Sequence, residues 1–186
     1  MITATEIADL LSAAEWAKLD QRAELHNRVR YLAKKGLLRD AQTQDNRGTL
    51  AFPNIEIYRA AIFVALLELS MDAKTVSDAL LKADRSFLPV PVPSALDENG
   101  AGYHFANSGL HAAVRGVQSD ENWLLEISSL RSGINTKKQL MCRFVCRDVE
   151  SPVDEGKIDR AAGRRPSATK VRVNLNYLFE GLPNFR

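Results

Sequence analysis

Between Arg28 and Arg39 the chain carries Arg28, Arg30, Lys34, Lys35 and Arg39 with no acidic residue among them. Cationic side chains gathered this closely neutralise phosphates and release condensed counterions, so the chemistry they suggest is polyanion binding. His26, Asn27 and Tyr31 stand in the same stretch and add groups able to donate to base edges or phosphates. Asparagine and arginine can do so in bidentate fashion in a major groove. Arg22, Asn27 and Arg30 are spaced close to one exposed helical stripe and are the candidates for base contacts. Arg39 and Arg47 follow in a turn-rich stretch, placed for phosphate or a minor groove. A blander reading stands beside this one, in which a positive helix end complements the helix dipole and keeps a surface solvated. For Lys34 and Lys35 alone the bland reading is preferred; coupled to Arg28, Arg30 and a basic hairpin, the pair points to nucleic acid. Tyr31 suits a core position equally well.

These residues need a scaffold. Thr3 with Glu6, and Ser12 with Glu15, match the capping box in which a hydroxyl and a carboxylate satisfy orphan amides, so short helices are expected to begin near Thr3 and Ser12. From Asp20, Ala23, Leu25, Val29, Leu32 and Ala33 recur at mostly three- and four-residue intervals before Gly36, as in an amphipathic helix with a glycine stop. The run LLRDAQTQDNRGTLAF places a polar stretch between two apolar ones and reads as a β-hairpin. Pro53 and Asn54 open a strongly apolar helix through Leu69, and a further helix runs from Asp72 to Ala83.

In this order of elements the chain resembles the MerR (mercury-resistance-regulator) family of winged-helix DNA-binding proteins over roughly its first 83 residues. The family's recognition helix reads T-L-R-Y-Y-E-x-x-G-L-L; residues 28–38 read R-V-R-Y-L-A-K-K-G-L-L, matching at Arg30, Tyr31, Gly36, Leu37 and Leu38. Phe52 stands where an aromatic closes the family's wing. The resemblance implies a recognition helix at about 20–35 and a β-hairpin wing at about 38–52. The chain departs from the family in the extra residues from Ser12 to Asn27, in Leu32 where a second aromatic is usual, and in prolines where a dimerising coiled coil normally follows.

SFLPVPVPSALDENGAG, with three prolines at alternate positions, reads as an extended linker. Beyond it, Ser108 to Val117 is weakly helical, and WLLEISSL, QLMCRFVC and KVRVNLNYL are strand-like. The run DEGKIDRAAGRRPSATK reads as a loop; with Arg172 it supplies a second basic region of Lys157, Arg160, Arg164, Arg165 and Lys170, interrupted by Asp159, read as a solvated loop in preference to a DNA-contacting arm. The expected fold class is α+β: a winged helix-turn-helix domain over 1–85, a Pro-rich linker over 86–100, and a small α+β domain with a mainly antiparallel sheet over 101–186.

Composition bounds the rest. A chain of 186 residues that is 45% hydrophobic fills one good core or two small ones. Its formal charge of +2 leaves any electrostatic footprint local. Two cysteines, Cys142 and Cys146, make neither a metal site alone nor a disulfide framework, and read as buried thiols. His104 and His111 have no nucleophile signature around them, and Trp123 reads as core. Neither a phosphate-cradling glycine motif nor H-E-x-x-H nor G-x-S-x-G occurs, so an enzyme is not expected, nor a cofactor or metal. The start MITATEIADLL does not read as an export signal, and the expected location is the cytoplasm, as a bacterial or phage-encoded protein associated with the nucleoid. The expected function is a sequence-specific transcription regulator that binds double-stranded DNA, a homodimer through its C-terminal domain, without membrane contact. The competing expectations are an excisionase-like architectural factor and a protein-interaction module with a protein partner.

Overall fold

The computed structural model describes residues 1–14, 21–85, 91–93, 103–105, 108–132, 138–147, 164–165 and 170–184. The first helix, α1 (Ala4–Ala13), starts on a reciprocal cap: the Thr3 hydroxyl accepts from the Glu6 amide at 3.2 Å, and the Glu6 carboxylate accepts from the Thr3 amide at 2.6 Å. The backbone bond from Thr3, then its hydroxyl, hold the Glu6 carboxyl below its ordinary range. Ser12 does not start a second helix. It is buried inside α1, where its hydroxyl donates to the Ala8 carbonyl at 2.8 Å, the back-bonding open to any mid-helix serine. Glu15 lies outside the described residues.

Helix α2 (Arg22–Lys34) buries Leu25, Val29 and Leu32 and packs on α1. It stops where expected: Gly36 adopts φ +65°, its amide bonds to the Ala33 carbonyl, and the Leu37 amide to that of Leu32, each at 3.0 Å. This is the Schellman pattern, and its left-handed residue suits glycine. The hairpin follows as β2 (Gln42–Thr43) and β3 (Leu50–Phe52), antiparallel with Thr43 opposite Leu50. Asp45 organises its loop, accepting from the amides of Arg47 and Thr49 at 3.0 and 2.9 Å. A strand not expected from the sequence, β1 (Ile2–Thr3), pairs with the other edge of β3 and completes a three-stranded sheet.

Helix α3 (Glu56–Glu68) is apolar on nearly every side, with Ile57, Tyr58, Ala60, Ala61, Ile62, Phe63, Val64 and Leu66 all buried. A helix of this kind must be covered all round. α1 and α2 pack against it. The end of the chain packs there as well: the Tyr58 ring meets Phe179 edge-on at 4.8 Å, and Leu178, Phe179 and Leu182 are buried.

The chain therefore divides differently from the expected 1–85 and 101–186. One compact unit comprises Met1–Ala73 with Tyr177–Arg186, and the other Lys74–Asn176. Helix α4 (Ala73–Arg85) falls almost wholly in the second unit, where the Asp84 carboxylate accepts from the Leu110 amide at 3.0 Å. Within the expected 86–100 linker, β4 (Pro91–Pro93) pairs antiparallel with β5 (Tyr103–Phe105), so that stretch is paired strand rather than free chain. The remainder of 86–100 lies outside the described residues.

The second unit continues with α5 (Gly109–Gln118), capped by Ser108, then β6 (Trp123–Ser132) and β7 (Lys138–Cys146). β8 (Arg164–Arg165) and β9 (Lys170–Asn174) both pair with β6, and every pairing is antiparallel. The run expected as a loop thus contributes strand pairs at both β8 and the start of β9. The segment NLNYL leaves the strand: α6 (Leu175–Phe179) begins directly after Asn174, whose side-chain oxygen accepts from the Asn176 amide at 3.0 Å. The molecule is thus mixed helix and antiparallel sheet. Among the described residues no helix is long and apolar enough to cross a membrane.

Candidate nucleic-acid interface

At 3.6 residues per turn, the buried face of α2 (Leu25, Val29, Leu32) leaves Asn27, Arg30 and Lys34 together along the opposite stripe, all exposed. Arg22 is exposed too, but lies roughly 140° around the axis from Asn27 and does not share that stripe. Tyr31 stands beside it, 45% exposed, with the Lys35 ammonium 5.9 Å from its ring centroid. That exposure removes Tyr31 from the core. The arrangement presents one amide, a planar guanidinium, two ammonium groups and a phenol on one side of a helix. These groups bind phosphate and the acceptor edges of bases well.

Two members of the expected set are committed elsewhere. Arg28 donates through Nη2 to Glu24 at 2.6 Å and through Nη1 to Glu68 at 3.0 Å, so its guanidinium joins two turns of α2 and ties them to α3. His26 places Nε2 3.2 Å from the Asp9 carboxylate on α1. Both side chains fix how α2 sits on its neighbours. The Glu24–Arg28 pair was legible as an i,i+4 acid–base spacing. The Glu68 contact has no local sequence signal, because it joins residues 40 positions apart.

Arg39 and Arg47 belong to the hairpin. The Arg39 amide donates to the buried Glu56 carboxylate at 2.9 Å, which anchors the entry to the hairpin on the first turn of α3. The other Glu56 oxygen accepts from Arg59 Nε at 2.9 Å. Burial pushes the Glu56 carboxyl up from its ordinary range, with the Arg59 charge opposing it. Arg47 is exposed in the loop between β2 and β3, where its amide is held by Asp45 and Gly48 takes φ +79°. The first unit thus has an exposed basic helix face and, on its hairpin, an exposed arginine in an ordered turn.

No protein-family model, curated protein or solved structure matches the chain.

Proposed function

We propose that the first unit is a winged helix-turn-helix module that binds double-stranded DNA selectively, and that the protein acts as a transcription regulator. The observation that carries this reading is the exposed stripe of Asn27, Arg30 and Lys34 on α2, opposite a face buried by Leu25, Val29 and Leu32. In this reading α2 enters the major groove. Asn27 and Arg30 donate to base edges, since an amide and a guanidinium match adenine and guanine there. Lys34, Lys35 and Tyr31 lie against phosphates, and the hairpin sets Arg47 on the adjacent backbone. Arg28 and His26 act indirectly, by holding α2 on α3 and α1.

The test is fluorescence anisotropy of the full chain with labelled genomic fragments over a salt series, comparing wild type with Arg30→Ala/Lys34→Ala. Selective binding that the variant loses supports the reading. Absence of binding at low salt, or equal binding by the variant, overturns it.

A further inference from the structure

Glu126 lies at the middle of β6 with its side chain 6% exposed, and three cations converge on it. Arg143 of β7 donates through Nε at 3.0 Å, Arg172 of β9 through Nε at 2.8 Å, and Lys170 of β9 through Nζ at 3.2 Å. The register explains the gathering: Arg143 and Arg172 are the residues directly opposite Glu126 on the two flanking strands. Lys170 is opposite Ser128, two positions along β6 on the same face. The other face of this sheet is core, with Leu125, Ile127, Cys142 and Phe144 buried and α5 packed against it.

One carboxylate does not require three cations. Arg143 alone supplies it with donors from both Nε and Nη2. Among the described residues the cluster sets three cations against one acid, and the Lys170 and Arg172 side chains are 40% and 54% exposed. Arg172 uses Nε alone, and its two Nη groups bond to no described residue. Such a guanidinium, anchored by one edge with its fork free, suits the oxygens of a phosphate. Ser128 and Asn174 occupy neighbouring positions on this face, and among its described residues Glu126 is the one acid. Its described positions hold no aromatic, so it lacks the stacking platform that unpaired bases use.

We infer that this face of the β6–β7–β9 sheet binds the phosphodiester backbone of double-stranded DNA, without reading its sequence, through Arg172 and Lys170. This site shares no residue with α2 and does not rest on the function proposed for it. Lys170 and Arg172 are then working members of the second basic region rather than parts of a solvated loop.

The test is binding of full-length protein to a duplex of arbitrary sequence over a salt series, with Lys170→Ala/Arg172→Ala beside Arg30→Ala/Lys34→Ala. The Lys170/Arg172 variant keeps the Arg143–Glu126 pair. It is expected to bind every duplex more weakly, with a salt slope shallower by about 2. Should the double variant fail to fold, Arg172→Gln replaces it, with an expected change in slope of about 1. Unchanged affinity and slope overturn the inference. So does equal binding of a polyglutamate peptide at the same salt, which would assign the face to acidic protein. An effect of the Lys170/Arg172 variant with none from Arg30/Lys34 would sustain this site and reject the α2 reading.

Discussion

The Tyr58 hydroxyl donates to the Pro183 carbonyl at 2.7 Å, across 125 positions of sequence. The bond closes the C-terminal segment onto α3, so the first unit contains both ends of the described chain. Tyr58→Phe removes one hydrogen bond and is expected to cost about 1 kcal/mol. Ending the chain at Asn176 removes the buried Leu178, Phe179 and Leu182 together. At roughly 1.5–3 kcal/mol for each fully buried side chain, that truncation should destabilise the first unit far more than the point substitution. Urea denaturation of the three proteins checks the order, and an unchanged midpoint for the truncated chain would show that the segment adds nothing to the core.

Arg28 and Arg30 are two residues apart and should behave differently. Arg28 is engaged by Glu24 and Glu68, whereas Arg30 is exposed on the stripe with Asn27. Arg28→Ala is expected to lower thermal stability by less than about 1 kcal/mol, because the ion pairs are partly exposed, and to leave the salt slope of DNA binding unchanged. Arg30→Ala should leave stability alone and reduce that slope by about 1. Calorimetry and anisotropy on the same preparations separate the two; a reversed pattern would mean that the guanidinium of Arg28 leaves its carboxylates to meet DNA.

Glu126 predicts an acid-sensitive second unit. Burial acts to raise its carboxyl, but the hydrogen bonds from Arg143, Arg172 and Lys170 outweigh that and hold it down at about 2. A carboxyl depressed on folding binds its proton more readily in the unfolded chain. Its contribution is therefore present above about pH 4.5 and lost as pH falls towards 2. The shift alone would correspond to about 3 kcal/mol, and solvent screening around the partly exposed cations brings the contribution below that. The stability gap between wild type and Glu126→Gln should be widest near pH 6 and close over that window; a gap that is constant with pH would contradict the clamp.

Burial pushes the Cys142 thiol up to about 12, while Cys146 is only partly covered. Native protein treated with iodoacetamide at pH 8 should leave Cys142 unmodified until denaturant is added, since the thiolate is the reactive form. Peptide mass mapping reads this directly, and rapid labelling of Cys142 in the native state would show that β7 opens.

Thr3-x-x-Glu6, the Gly36 stop and the turn around Asp45–Gly48 act through hydrogen bonds and φ preferences within a few residues, so the sequence alone placed α1, α2 and the hairpin. The apolar period likewise marked Leu25, Val29 and Leu32 as the buried side of α2, and with it the exposure of Asn27 and Arg30. Ser12 misled because a hydroxyl can cap a helix or bond back within one, and the choice depends on whether the chain continues helical past it. Tertiary structure decided what no local pattern encodes: Glu68 beneath Arg28, the C-terminal segment against α3, and Arg143, Lys170 and Arg172 around Glu126. α3 hinted at the second, since its apolar residues on all sides require a cover, but nothing local says which segment supplies it. Charge pairing and burial depend on distance in space, and distant segments reach that proximity only when the apolar faces of the whole chain have been packed.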